Sequence, residues 1–484
     1  MSLYLIIEIL YALIVIAVVI RIVYDTDNSI KAAAYILLTV LVPVIGMIIY
    51  FSVGLNYRKR SIYSKKLLID KNQSDEIRKF IVKYRQRSSA ELENLFPNFY
   101  ELNLLFPNSP LAFASSKNRA ELLINGERKF PELLKAIQAA KHHIHIEYYI
   151  YEDDQTGNEI ADLLIKKAKE GVEVRFIYDD FGSRSIRKTI VPRLIKNGVK
   201  AYPFYKIAFI NFANRINYRN HRKIVIVDAE CCFIGGINIS DRYDNSHKNK
   251  LYWRDTHLKV SGEAAWSLQN IFFADWNFCS GENLKPTRDY FKPHHESDDP
   301  NEISRIQIVS SGPDSKKPEI LYSYLQLIGN AKKNVWITTP YFIPNEELLT
   351  AIEMAIRKGV DVRILVPGIS DSAIVNSVSK SHYLELLNAG AKIYLYEKGF
   401  VHAKTIVCDD EVSFVGTANL DHRSFDLNFE VNAIIYDRRI AEELQKSFLN
   451  DLENSSQIDI AEWESRLGFK QFFEKLLRLI APLM

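Results

Sequence analysis

The chain is poor in cysteine: Cys231, Cys232, Cys279 and Cys408 are the only four in 484 residues, and no CxxC pair occurs. That leaves no cysteine-ligated zinc motif and points to reduced structural thiols in a cytosolic domain. Cys231 and Cys232 sit in the apolar run CCFIGG, which reads as a buried strand. An excess of one charge is also missing. The formal net charge is +3, too near neutral for a nucleic-acid track, so no nucleic-acid partner is expected. No nucleophile-elbow motif supports a serine hydrolase. No carboxylate cluster completes a metal site, so neither metal nor cofactor is expected. The N-terminus lacks the basic start and the small-x-small cleavage site of a removed signal peptide.

What the N-terminus does have is aliphatic sequence. Residues 3–23 are nearly all apolar, broken by Glu8 and Arg21, and 32–54 form a second apolar run. As helices, both are long enough for a hydrocarbon core of roughly 30 Å. Pro43 and Gly46 inside the second run are tolerated in membrane helices. A retained transmembrane hairpin over 1–57 is the expectation. Arg58, Lys59, Arg60, Lys65 and Lys66 crowd the exit of the second run, whereas the connector between the runs carries only Arg21 and Lys31. By the positive-inside rule, both ends of the hairpin and everything downstream are cytoplasmic. The same basic cluster suits an anionic lipid bilayer.

Past the hairpin, one pattern occurs twice. The first copy runs from AAKHHIHIEYYIY at Ala139, through EGVEVRFIYDD and IKNGVKAYPF, to NHRKIVIVDAECCFIGGIN. The second runs from NAKKNVWITTPYFI at Asn330, through KGVDVRILVPG and LNAGAKIYLY, to VHAKTIVCDDEVSFVGTAN. In each, helices end at glycine (Gly171 and Gly198; Gly359 and Gly390) and a β-branched strand follows, the grammar of α/β units. The expected order is a basic, partly helical linker at 58–118, half one at 119–290, half two at 303–450, and a C-terminal helix within 451–484. The polar stretch 281–302 connects the halves. Segment 207–218, extra in the first copy, reads as lipid-entrance lining or a surface loop. In the C-terminal helix Phe469, Phe472, Phe473, Leu476, Leu477 and Ile480 share a face, for a membrane surface or for the protein's own core.

The repeat carries chemistry. Copy one reads His221-Arg222-Lys223, four residues, Asp228; copy two reads His402-Ala403-Lys404, four residues, Asp409. Six residues after each Asp stand Gly235 to Asn238 or Gly416 to Asn419. On a strand, residues two apart share a face, so each His lies with its Lys. Two imidazoles and two ammonium groups suit metal-free phosphodiester chemistry. One neutral His can attack phosphorus. The other, protonated, can donate to the leaving alkoxide. The lysines, with Asn238 and Asn419, can stabilise charge on the non-bridging oxygens. A His needs its far nitrogen held, and Asp255 and Glu430, similarly placed in the two copies, can do that.

The doubled HxKx4Dx6Gx2N pattern resembles the phospholipase D superfamily. NYRNHRKIVIVD, YWRDTHLKVSG, TTPYFIPNEELL and GTANLDHRSFDLNFEVNAIIYD are similar to bacterial cardiolipin synthases within it. The resemblance implies an α/β fold of two homologous halves packed around one shared active site. It implies phosphatidyl transfer between two phosphatidylglycerol molecules through a covalent phosphatidyl-histidine, with His221 favoured as the nucleophile and Asp228 and Asp409 supporting geometry. Hydrolysis to phosphatidic acid and other headgroup exchanges use the same motifs. A non-catalytic membrane scaffold would show eroded ones, yet all are intact.

Overall fold

The computed structural model describes residues 3–26, 29–51, 89–106, 112–205, 218–285, 287–291, 302–315 and 317–479. The basic cluster at 58–66, linker residues 58–88, segment 207–217, connector residues 292–301 and Ile480 lie outside the described residues.

The first apolar run is one helix, Leu3–Asp25. Among the described residues it alone is long and apolar enough to cross a membrane. The second run differs from expectation. It divides into Ser29–Leu41 and Pro43–Ile49, with Val42 between them at φ −135° and Pro43 opening the second piece. Proline lacks the N–H that would continue the ladder, and its ring crowds the carbonyl of the preceding turn. The pieces fold so closely that a Cβ on Gly46 would lie 2.5 Å from the Thr39 Cα. Val18, Ile22, Tyr35 and Tyr50 pack together and join the bent pair to the first helix.

The rest is mixed α/β. In the first half the strands are β1 (Ser115–Ile124), β2 (His143–Tyr148), β3 (Glu173–Asp179), β4 (Lys200–Phe204), β5 (Lys223–Val227), β6 (Cys231–Gly235), β7 (Tyr252–Arg254) and β8 (Thr256–Gly262). In the second they are β9 (Ser304–Ser311), β10 (Asn334–Thr338), β11 (Phe342–Ile343), β12 (Asp361–Pro367), β13 (Lys392–Tyr396), β14 (Gly399–Val401), β15 (Thr405–Cys408), β16 (Val412–Gly416), β17 (Leu420–Asp421), β18 (Glu430–Tyr436) and β19 (Ser455–Gln457). Fifteen form one sheet, ordered β19-β13-β12-β10-β15-β16-β18-β9-β1-β8-β6-β5-β2-β3-β4. Reading outward from the antiparallel β1–β9 seam, the two halves repeat one order, which is a pseudo-two-fold.

Local chemistry places these elements. Helix Gln155–Lys169 starts where the Asp154 carboxylate accepts the Gly157 N–H, and helix Glu346–Arg357 where Asn345 accepts from Leu348. The chain leaves both through glycines at positive φ, Gly171 and Gly359. β2 and β5 are buried along their whole length, as strands covered on both faces must be. Part of the expected linker belongs to the second half. Leu92, Phe96, Phe99, Leu102 and Phe106, at helical spacing, enter the same core as Leu327, Ile406 and Tyr436.

The C-terminal helix, Gly468–Arg478, lies against helix Ala373–Lys380 by its polar edge. Glu474 is buried and bonds Arg466, and Arg478 pairs with Glu346 and Glu385. Only Leu477 of its apolar side packs inward, with Val375 and Val378. Phe469 and Phe472 are 79% and 64% exposed, and Phe473, Leu476 and Leu479 are also exposed. The helix is turned inside out.

Candidate active site

Each histidine stands at the head of a central strand, and the backbone before it runs beside the other half. β14 pairs in parallel with β7, and Asn220 bridges Phe429. The His221 N–H donates to the Phe429 carbonyl at 2.9 Å, and the His402 N–H to the Arg254 carbonyl at 2.7 Å. The next residues along those partner segments are Glu430 and Asp255. The acids are therefore exchanged between halves. His221 Nδ1 lies 2.9 Å from Glu430 Oε2, and His402 Nδ1 lies 2.7 Å from Asp255 Oδ2. Each carboxylate accepts a hydrogen bond from the Nδ1–H, which leaves each Nε2 as the free nitrogen.

The two acids are held differently. Glu430 also accepts from the Thr417 hydroxyl at 2.5 Å and from the Asn428 amide at 3.1 Å. In the first half Gly236 stands where Thr417 stands in the second, and a Cβ there would lie 2.2 Å from Asp255 Oδ1. Only glycine fits beside that carboxylate. Asp255 instead accepts the Thr256 N–H at 2.7 Å.

Strand alternation brings the lysines to the same place. Lys223 Nζ donates to the His221 carbonyl at 2.7 Å, and Lys404 Nζ to the His402 carbonyl at 2.5 Å. Burial pushes His221 down to about 4, with Glu430 opposing, and His402 down to about 3, with the Lys404 charge adding to the fall. Burial likewise lowers Lys223 to about 7 and Lys404 to about 8. Both histidines are thus neutral at pH 7, which suits nucleophilic attack. An entering phosphodiester anion favours protonation of the remaining groups, since an opposite charge stabilises the charged form.

Asn238 and Asn419 line a cavity of about 490 Å³ together with His221 and His402. Asn238 bonds the Ile150 N–H and the Tyr243 hydroxyl, whereas the buried Asn419 Oδ1 has no partner among the described residues. Asp228 and Asp409 are not brought to the histidine pair. They sit at the opposite ends of β5 and β15, at φ 55° and 54°. Asp228 accepts the N–H groups of Lys141, His142 and His143, and Asp409 those of Lys332, Lys333 and Asn334. They fasten the start of β2 and β10 to the motif strand and do not face the histidines. Asp228→Ala leaves three N–H donors, one of them on the buried His143, without their acceptor and is expected to cost about 2 kcal/mol. Denaturant melts should show that loss, while turnover per folded molecule stays near wild type.

Several site residues were not singled out by the sequence. Tyr149, Arg219, Tyr243, Trp253, Tyr341 and Arg423 line the cavity from loops and short elements outside the central sheet, where α/β sheets hold ligands. Lys129 is fully buried and donates to the Ile237 and Asn238 carbonyls, supporting the Gly-Gly-Ile-Asn turn from below. In the second half the Tyr324 hydroxyl meets the corresponding Ala418 carbonyl at 3.5 Å. A lysine and a tyrosine doing the same work give no shared sequence signal.

The chain matches the family model described as "Cardiolipin synthase, PLD-like domain" twice, over 133–276 and 324–452, and "Phospholipase_D-nuclease N-terminal" over 12–54. Cardiolipin synthase 2 of Bacillus anthracis is 40% identical over 457 residues, 94% of this chain and 87% of that protein. Cardiolipin synthase of Clostridium perfringens (strain ATCC 13124) is 39% identical, over 93% of this chain and 94% of its own. Among solved structures, phosphatidylserine synthase of Haemophilus influenzae aligns with a TM-score of 0.60 at 15% identity, covering 76% of this chain and 95% of that one. That likeness is one of fold.

Proposed function

Because this chain belongs to the cardiolipin synthases of the phospholipase D superfamily, we propose that it joins two phosphatidylglycerol molecules at the paired histidines. His221 Nε2 attacks the phosphorus of the donor lipid. The bond to the glycerol oxygen breaks, and His402, protonated at Nε2 as the anionic lipid enters, supplies the proton with which glycerol leaves. A terminal hydroxyl of the second lipid then gives its proton to His402 and attacks the phosphatidyl-histidine. Cardiolipin forms and His221 is free again. Lys223, Lys404, Asn238 and Asn419 stabilise the charge on phosphorus-bound oxygens. One phosphodiester replaces another, so no nucleotide is consumed. The exchanged histidine–acid pairs carry this reading, because they fix two imidazoles with both Nε2 atoms unused. Attack is assigned to His221 because its acid, braced by Thr417 and Asn428, has the better-fixed geometry.

The test is a product assay on purified protein in liposomes given only phosphatidylglycerol. Cardiolipin and glycerol in equal amounts are expected by mass spectrometry. Phosphatidic acid without cardiolipin would make water the acceptor and this reading wrong.

The protein is membrane-associated. The finer arrangement is part of the same reading: a retained hairpin, with all that follows it on the cytoplasmic side, as the basic residues at 58–66 favour. The C-terminal helix then rests on the leaflet. Its exposed Phe469, Phe472 and Phe473 enter the lipid, and Lys470 and Lys475 border that face toward anionic headgroups. Val375, beneath this helix, also lines the cavity, so the site would open at headgroup level.

A further inference from the structure

We propose that Arg219 binds the phosphate of the accepting lipid, forming a second phosphate subsite beside the reacting one. This rests on the two-lipid transfer above. Arg219 lines the same cavity as both histidines. It is only 2% exposed, and neither Nη has a hydrogen-bond partner among the described residues. Its guanidinium lies flat on Phe181, 4.5 Å from the ring centroid. The neighbouring acid, Asp179, is occupied with the N–H groups of Phe181, Gly182 and Asn220. A buried guanidinium with idle donors is costly unless an anion completes it. Burial lowers its pKa, with the nearby Asp179 carboxylate opposing the fall.

Position identifies the anion. The chain before the first motif is extended where Asn220 bridges Phe429, so Arg219, His221 and Lys223 alternate onto one face. Two residues of strand span about 7 Å. A three-carbon glycerol bridge between two phosphates covers a similar length. One phosphate on His221 and another on Arg219 would therefore be placed as the two phosphates of the product are.

The subsite also breaks the pseudo-two-fold. Two residues before His402 stands Phe400, packed on Trp253 and on the His402 ring. At the position two residues before the motif histidine, the cation occurs in the first half only. Donor and acceptor positions are thereby distinguished, although the histidines, lysines and asparagines are repeated.

Both arms of the test start from the same phosphatidyl-enzyme in full-length protein reconstituted in phosphatidylglycerol vesicles. One arm measures cardiolipin, which needs an anionic acceptor. The other measures incorporation of labelled free glycerol, a neutral acceptor, into phosphatidylglycerol. Arg219→Gln is expected to lower cardiolipin formation about tenfold or more, the loss of one charge-assisted contact, and to leave glycerol exchange within about twofold. Arg219→Lys should fall between. Equal losses in both arms for both variants, or no loss in either, would overturn the subsite. A wild-type protein that exchanges glycerol but makes no cardiolipin would instead refute the two-lipid reading itself.

Discussion

His221→Ala and His402→Ala are each expected to lower cardiolipin formation by about four orders of magnitude, because each removes a group that touches the reacting atoms. The two losses should differ in kind. A phosphatidyl ester of p-nitrophenol has a leaving group that departs without a proton. On it, His402→Ala should still release a burst of p-nitrophenolate as the phosphatidyl-enzyme forms. His221→Ala should release none, since no bond to phosphorus can be made. Quenched-flow absorbance reads the burst, and mass spectrometry of the denatured protein reads the lipid adduct. A burst from His221→Ala and none from His402→Ala would reverse the assignment of nucleophile and acid.

The carboxylates give the second large effect. Glu430→Gln and Asp255→Asn keep the shape of each side chain but lose the charge that stabilises the developing imidazolium, and their NH2 groups can favour the wrong ring tautomer. A loss of about 10³- to 10⁴-fold is expected from each, the scale set by the corresponding change behind a catalytic imidazole. The pattern across the halves is the sharper readout. Glu430 lies in the second half but holds His221, so Glu430→Gln should lose the p-nitrophenolate burst as His221→Ala does. Asp255 lies in the first half but holds His402, so Asp255→Asn should keep the burst. Acids acting within their own halves would give the opposite pattern.

Much of this site was legible in the residue pattern because it is written twice. His221 with Lys223 and His402 with Lys404 share spacing, and both copies end in Gly-x-x-Asn. The exchange of acids was not legible. It depends on β14 lying beside β7 and on Asn220 lying beside Phe429, contacts between segments far apart in the chain. Asp228 and Asp409 were conspicuous for the opposite reason. A carboxylate that ties three N–H groups at a strand start recurs as faithfully as one that meets substrate. Arg219 was hidden among the basic residues of NYRNHRK, where Arg222 and Lys223 are buried too and only its idle donors set it apart. In the second apolar run composition suggested one helix, but a single proline at position 43 divides it.

The exchanged acids have a consequence for how such a chain can change over generations. Neither half owns a complete histidine unit, so a fault in one half silences the histidine of the other. An ancestor with a single half would have needed a second copy of itself to supply its acid, and a self-paired unit must use the same acid twice. Joining the copies in one gene removes that constraint. One position can then become aspartate beside a glycine while its twin remains glutamate beside a threonine. Specialised roles for the two histidines become heritable only after the halves share a chain.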